Sequence, residues 1–168
     1  PVSRKPVSEA IMFTILLIRP QLGENIGACA RAMSNFGLKR LRLVAPRDGW
    51  PNPRAFEMAA GGAKILEDAE MYADVPAALA DLHAVYATTG RMRDIDKRGL
   101  APPEAVAEMR LKADGGQRIG LMFGPERTGL TNADIALADA LVHIPTDTAN
   151  PSLNLAQSAV VMAYEWFK

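Results

Sequence analysis

Four apolar runs in this sequence end in residues suited to holding a small polar ligand. They are "RPQLGENIG" from Arg19, "ATTGRMR" from Ala87, "FGPERTGL" from Phe123 and "IPTDTANPSLN" from Ile144. Glycine and threonine let a ligand approach the backbone closely and leave N–H groups free to meet it. Each loop taken alone is adequately explained as a tight turn. Four at one rim point to a binding site, because ligands of open α/β sheets sit outside the carboxyl ends of the strands. The last loop raises a further question. "NPSLNLAQSAVVMAYEWF" is mostly apolar from Leu153, yet it opens with Asn150, Ser152 and Asn154 around Pro151. An N-cap at Asn150 with Pro151 in the first helical position accounts for part of that run. It leaves Ser152 and Asn154 as hydrogen-bonding groups at a helix start, where backbone N–H groups are unpaired.

The elements that must position these loops follow from apolar periodicity and turn residues. Residues 1–10 form a polar, proline-punctuated lead-in. Strands are predicted at Ile11–Ile18, Leu41–Ala45, His83–Gly90, Arg118–Gly124 and Leu141–Pro145. Helices are predicted over "IGACARAMSNF", stopped by Gly37, over "RAFEMAAGGAKI", broken at Gly61–Gly62, and over Val75–Leu82. Further helices are predicted over "PPEAVAEMRLK", over "TNADIALADA" with Thr131 or Asn132 as its cap, and over the closing apolar stretch. "PRDGWPNP" and the charged "RMRDIDKRG" read as loops. Alternating strands and helices predict an α/β sandwich around a parallel sheet, in one domain spanning residues 1–168 with no linker to divide it.

Composition excludes several classes. The chain has 168 residues, 49% hydrophobic, with nineteen basic and nineteen acidic side chains. It lacks the global positive charge of a strongly basic nucleic-acid binder, so any RNA contact must come from a local patch. Thirteen of the basic residues are arginine, which suits phosphate recognition, although genomic base composition also explains the excess. The single cysteine, Cys29, permits no intrachain disulfide and predicts a cytoplasmic chain. The longest apolar run, Ile11–Ile18, is eight residues, so no membrane span is expected. "GGAK" at Gly61–Lys64 lacks P-loop spacing, and no G-x-G-x-x-G follows the first strand, which counts against a nicotinamide-dependent oxidoreductase. His83 and His143 stand alone, and no metal site is expected. Cys29, between Ala28 and Ala30, reads as a small buried residue.

Three segments together resemble the SPOUT class of RNA methyltransferases, specifically the SpoU/TrmH-type 2′-O-ribose methylases. They are "ENIGACARAMSNFG" with Asn25, Gly27 and Arg31, "FGPERTGL" with Gly124, Glu126, Gly129 and Leu130, and "IPTDTANPSLNLAQSAVVMAYE" with Ile144, Pro145, Ser152, Leu153 and Asn154. The resemblance covers roughly residues 12–167. Within the class, "FGPERTGLTNADI" and "NPSLNLAQSAVVMAYE" resemble the tRNA cytidine/uridine 2′-O-methyltransferases acting at the start of the anticodon loop. Those enzymes usually carry a further helical C-terminal region, so the chain resembles a truncated or minimal relative.

The resemblance implies an α/β-knot fold: a mostly parallel sheet with helices on both faces and a C-terminal trefoil knot. It implies S-adenosylmethionine as cofactor, with no metal. Thr88, Thr89, Gly90, Gly124, Glu126, Ile144, Ser152, Leu153 and Asn154 would bind that cofactor. Arg31, Ser152, Asn154 and Asn25 would form the catalytic set. Arg31 heads it as an electrostatic anchor for phosphate and developing oxyanion, because an arginine guanidinium does not deprotonate in proteins. RNA contacts are expected from Asn25, Arg31, Arg91, Arg93, Lys97 and Arg98. The partners implied are tRNA or another structured RNA, and a second copy of the chain joined through the nearly all-round apolar last helix. A 2′-O-methylase of another tRNA position or of ribosomal RNA, and a non-catalytic RNA-binding protein on the same fold, are the alternatives.

Overall fold

The sheet is built outward from one strand that is apolar on both sides. β1 (Phe13–Ile18, "FTILLI") is buried at every position, as a central parallel strand covered on both faces must be. The computed structural model describes residues 12–90 and 96–168. In it β1 pairs in parallel with β2 (Arg40–Val44) on one side and with β6 (Ile119–Phe123) on the other. Beyond β2 lies β3 (Glu70–Tyr72). Beyond β6 come β4 (Ala84–Thr88), β7 (Ala140–Val142) and β5 (Gly99–Leu100). The order β3-β2-β1-β6-β4-β7-β5 makes a seven-stranded sheet whose pairings are all parallel, as the alternating pattern predicts.

Side-chain alternation along the strands assigns the two faces. Phe13, Ile15, Leu17, Leu121 and Phe123 join a core formed with α1 (Gly23–Asn35), α2 (Pro53–Met58), α3 (Ala63–Glu67), α5 (Pro102–Asp114) and α7 (Leu155–Phe167). Leu16, Ile18, Val85, Ala87 and Met122 pack on the other side against α4 (Val75–Leu79) and α6 (Asn132–Ala136). α1 lies close on α2: a Cβ on Gly27 would fall on the Ala55 carbonyl, so glycine is required at that crossing.

The sequence reading and the structure differ in definite places. β3 and β5 were not anticipated; they are edge strands of three and two residues, too short to show a period. α1 starts at Gly23, inside the segment read as a turn, and Val75–Leu82 is helical only to Leu79. "TNADIALADA" is helical only over Asn132–Ala136, with Thr131 as cap, and Ala140 already belongs to β7. Asn150 is not the cap of the last helix. That cap is Asn154, whose side chain accepts from the N–H groups of Ala156 and Gln157 in a reciprocal capping box with Gln157.

One charged side chain among the described residues is fully buried within a strand. Arg42 of β2 points to the α4 face and is 0% exposed. Its guanidinium donates to both oxygens of Asp81 at 2.6 and 2.8 Å and to the Ala78 carbonyl at 2.8 Å. These bonds fasten the end of α4 to the sheet. The Arg42 hydrogen bonds hold the Asp81 carboxyl down at about 2. A depressed carboxyl contributes stability that is complete above its unfolded value of about 3.9 and is lost as pH falls through the folded one. Asp81→Asn is therefore expected to destabilise at neutral pH by about 2–3 kcal/mol, below the roughly 3–5 of a fully buried pair because Asp81 stays 43% exposed. Its denaturant midpoint should also fall less than the parent's between about pH 4 and pH 2.

Candidate functional site

β1, β6, β4 and β7 are consecutive neighbours in the sheet, so the four loops leaving their carboxyl ends meet at one rim. Three of these loops enclose a cavity of about 300 Å³. Thr88, Thr89 and Gly90 form one wall, Gly124 to Leu130 a second, and Ile144 with Pro151, Ser152 and Leu153 a third. Phe123, Ile135 and Val142 supply apolar floor, and Leu155 and Ser158 of α7 close the side. Eight of the nine residues assigned to cofactor binding from the sequence line this cavity; Asn154 does not, standing at the head of α7 beside it.

Local physics explains the motif spacing. The segment from Gly124 to Leu130 folds back on itself, with Gly129 N–H donating to the Pro125 carbonyl at 2.9 Å. Gly129 has φ +69°, a left-handed conformation suited to glycine, and a Cβ on Gly124 would collide with the backbone of Gly129 and Leu130. The tip of the turn therefore carries Glu126, Arg127 and Thr128. In the first wall, the Thr88 hydroxyl is spent on the Met122 carbonyl at 2.9 Å, and Thr89 N–H donates to Val142 at 3.0 Å. His143 Nδ1 lies 3.2 Å from the Thr89 carbonyl.

Glu126 ties the cavity to α1. Its carboxylate accepts from the backbone N–H of Gln21 and of Leu22, each at 2.8 Å, and from Asn25 Nδ2 at 3.0 Å. Leu22, the N-cap position of α1, has no capping side chain of its own. Glu126 thus holds the residues leading into α1, and the Asn25 side chain of its first turn, from more than a hundred residues away. Burial pushes its carboxyl up, but the bonds from Asn25, Gln21 and Leu22 outweigh that and hold it below the usual range. The chain of bonds continues: Asn25 Oδ1 accepts from Asn154 Nδ2 at 3.3 Å. Asn25 lies in the first turn of α1 and is not its cap. One connected set, Glu126–Asn25–Asn154, therefore links the second loop, α1 and α7.

A second tie sits behind it. Arg19, at the end of β1, forms an ion pair with Asp134 of α6, and Asp134 completes the capping box with Thr131. Burial raises the Asp134 carboxyl, while Arg19 and Thr131 together bring it below the usual range. Neither residue was singled out from sequence, because their pairing joins positions 115 apart.

The remaining predicted residues divide. Arg31 lies on α1, exposed, and its guanidinium has no partner among the described residues. It does not line the cavity. Ser152 lines the cavity, and its hydroxyl takes no hydrogen bond among the described residues. Lys97 donates to the carbonyls of Ala136 and Ala138, closing the end of α6. Arg98 holds Glu108 at 2.8 and 3.1 Å. Both heads expected to follow phosphates are thus engaged with the protein. Arg91 and Arg93 lie outside the described residues. Cys29 is buried, and burial pushes its thiol far up, as expected of an inert side chain. No cluster of potential metal ligands occurs among the described residues. None of their helices is long and apolar enough to cross a membrane.

Known proteins resemble this chain in sequence and in fold. The chain is 36% identical over 158 residues to the tRNA (cytidine-2′-O-)-methyltransferase TrmJ of Methanocaldococcus jannaschii, covering 92% of this chain and 67% of that protein. It is 36% identical over 152 residues to the uncharacterized tRNA/rRNA methyltransferase LasT of Escherichia coli K12, covering 90% of this chain and 66% of that protein. The chain thus spans about two thirds of the length of these relatives. The crystal structure of TrmJ from Z. mobilis ZM4 superposes with a TM-score of 0.85 at 48% identity, covering 91% of this chain and 67% of that one. The SpoU rRNA Methylase family model matches residues 12–164, and the chain belongs to that family.

Proposed function

We propose that this chain transfers a methyl group from S-adenosylmethionine to a ribose 2′-hydroxyl of RNA, in tRNA at a cytidine or uridine at the start of the anticodon loop. The observation that carries this reading is the three-loop cavity joined through Glu126, Asn25 and Asn154 to the helix that displays Arg31. The Methanocaldococcus relative is a tRNA (cytidine-2′-O-)-methyltransferase, which supports tRNA and cytidine. The Escherichia coli relative, an uncharacterized tRNA/rRNA methyltransferase, keeps ribosomal RNA as the second reading.

The lining suits the cofactor. Its volume lies at the lower end of small-molecule sites. Ile144, Leu153, Leu130 and Ile135 offer apolar cover for an adenine ring, and the glycine-rich turns expose backbone donors and acceptors. When bound, the cofactor supplies a methyl carbon activated by its sulfonium. The enzyme's own task is then alignment and charge stabilisation. Arg31 holds a flanking phosphate and stabilises negative charge developing on the 2′-oxygen, as a fixed cation that needs no proton exchange. Ser152, with a hydroxyl that no described residue uses, hydrogen-bonds cofactor or ribose. Asn154 is spent on capping α7 and on Asn25, so both asparagines act by setting the distance between cofactor loops and α1. Lys97 and Arg98 are engaged with Ala136, Ala138 and Glu108, so the phosphate contacts expected of this basic segment fall to Arg91 and Arg93.

A homodimer through the last helix belongs to the same reading, as do the trefoil threading of the C-terminal loops and a cytoplasmic setting. Val160, Tyr164 and Phe167 stand exposed on α7, and Phe36 packs against the rings of Tyr164 and Phe167 at 5.8 and 5.9 Å. This apolar face favours a second copy over water.

Arg31→Ala should lower transfer of labelled methyl from S-adenosylmethionine into tRNA by about 100-fold or more, with cofactor affinity nearly unchanged. Nucleoside analysis of the product separates 2′-O-methylcytidine and 2′-O-methyluridine of tRNA from label in ribosomal RNA. Sedimentation at micromolar concentration should give a dimer, and Tyr164→Asp with Phe167→Asp should shift it to monomer.

A further inference from the structure

Among the described residues the cavity wall carries one cationic side chain, and no described residue pairs with it. Among the described lining residues Arg127 is the only cation and Glu126 the only anion. The two have different fates. Glu126 receives three hydrogen bonds from α1 and the residues before it. Arg127, its neighbour on the same turn, is exposed and makes no hydrogen bond or ion pair with any described residue. Its backbone is nonetheless fixed, because the turn is closed by the Gly129-to-Pro125 hydrogen bond and anchored by buried Leu130. A guanidinium on a rigid turn at a cavity wall is arranged to receive a planar anion by paired hydrogen bonds.

We propose that Arg127 recognises the α-carboxylate of the S-adenosylmethionine amino-acid end, and so makes this site selective for the complete cofactor over adenosyl compounds that lack that carboxylate. The inference rests on the functional reading above, since it assigns one group of that cofactor to one side chain. The other described lining residues suit the adenosyl part and offer no further positive charge to a carboxylate. Glu126 contributes on the same turn: an ionised carboxylate has about four acceptor positions, and three are used. The remaining one would accept from the ammonium of the same zwitterion.

The test is calorimetric binding of S-adenosylmethionine and of decarboxylated S-adenosylmethionine, without RNA, to the parent chain, Arg127→Ala and Arg127→Lys. The parent should prefer the carboxylate-bearing ligand by about 10-fold, the low end for a charge-assisted bond at a solvent-open site. Arg127→Ala should lose that preference while binding the decarboxylated ligand as the parent does, which also shows that the variant is folded. Arg127→Lys should keep part of the preference. An undiminished preference in Arg127→Ala, or an equal loss for both ligands, overturns the assignment of Arg127 and leaves the functional reading standing. Failure of the parent chain to bind either ligand overturns that reading and the inference with it.

Discussion

A single carboxylate makes one object out of segments that lie more than a hundred residues apart. Glu126 has no ionic partner among the described residues; it is held by two backbone N–H groups and one side-chain amide. Burial alone favours its neutral form, and the three donors reverse that. Hydrogen bonds to an ionised acceptor contribute roughly 1.5–3 kcal/mol each, and they fall where a helix N-terminus already favours negative charge. The second motif loop therefore cannot shift without releasing the residues that lead into α1. Because Asn25 also meets Asn154, it cannot shift without disturbing the head of α7 either.

That linkage explains why the site is divided as it is. The cavity is walled by loops on the sheet rim, while Arg31 stands on α1 outside it. For a transfer between a bound cofactor and a large substrate, what matters is the fixed relation between these two places. The chain secures it twice over. The Glu126 set joins loop to helix, and the Arg19–Asp134 pair holds α6 to the end of β1. α7 completes the frame by burying Leu155, Met162 and Trp166, with Trp166 packed on Phe13 of the central strand at 4.6 Å.

Much of this frame was legible in the sequence because it is local. β1, β2, β4 and β6 announce themselves as apolar runs, and the four loops at their ends and at β7 carry the small and polar residues of a binding rim. Their convergence follows from strand adjacency, which pattern alone does not give. The partners of polar side chains were not legible, because they are long-range. Nothing in the sequence around Arg42 marks it as buried; its partner Asp81 lies 39 residues away. Lys97 and Arg98 read as a phosphate patch until the end of α6 and Glu108 are seen to occupy them. Asn150 and Pro151 satisfy the sequence rules for a helix start, yet the helix begins four residues later. Asn154 can both cap α7 and reach Asn25, a gain that no local rule contains.

The most direct test of the linkage is hydrogen exchange at the amides of residues 21–26 in the parent chain and in Glu126→Gln. Glutamine keeps the shape but replaces one acceptor oxygen with a donor, so one of the N–H groups now met by the carboxylate is left facing another donor. The account predicts faster exchange at Gln21, Leu22 and the first turn of α1 in the variant, with the β1 and β6 amides unchanged. Unaltered exchange in that first turn would contradict it, and would mean that α1 holds its position through packing alone.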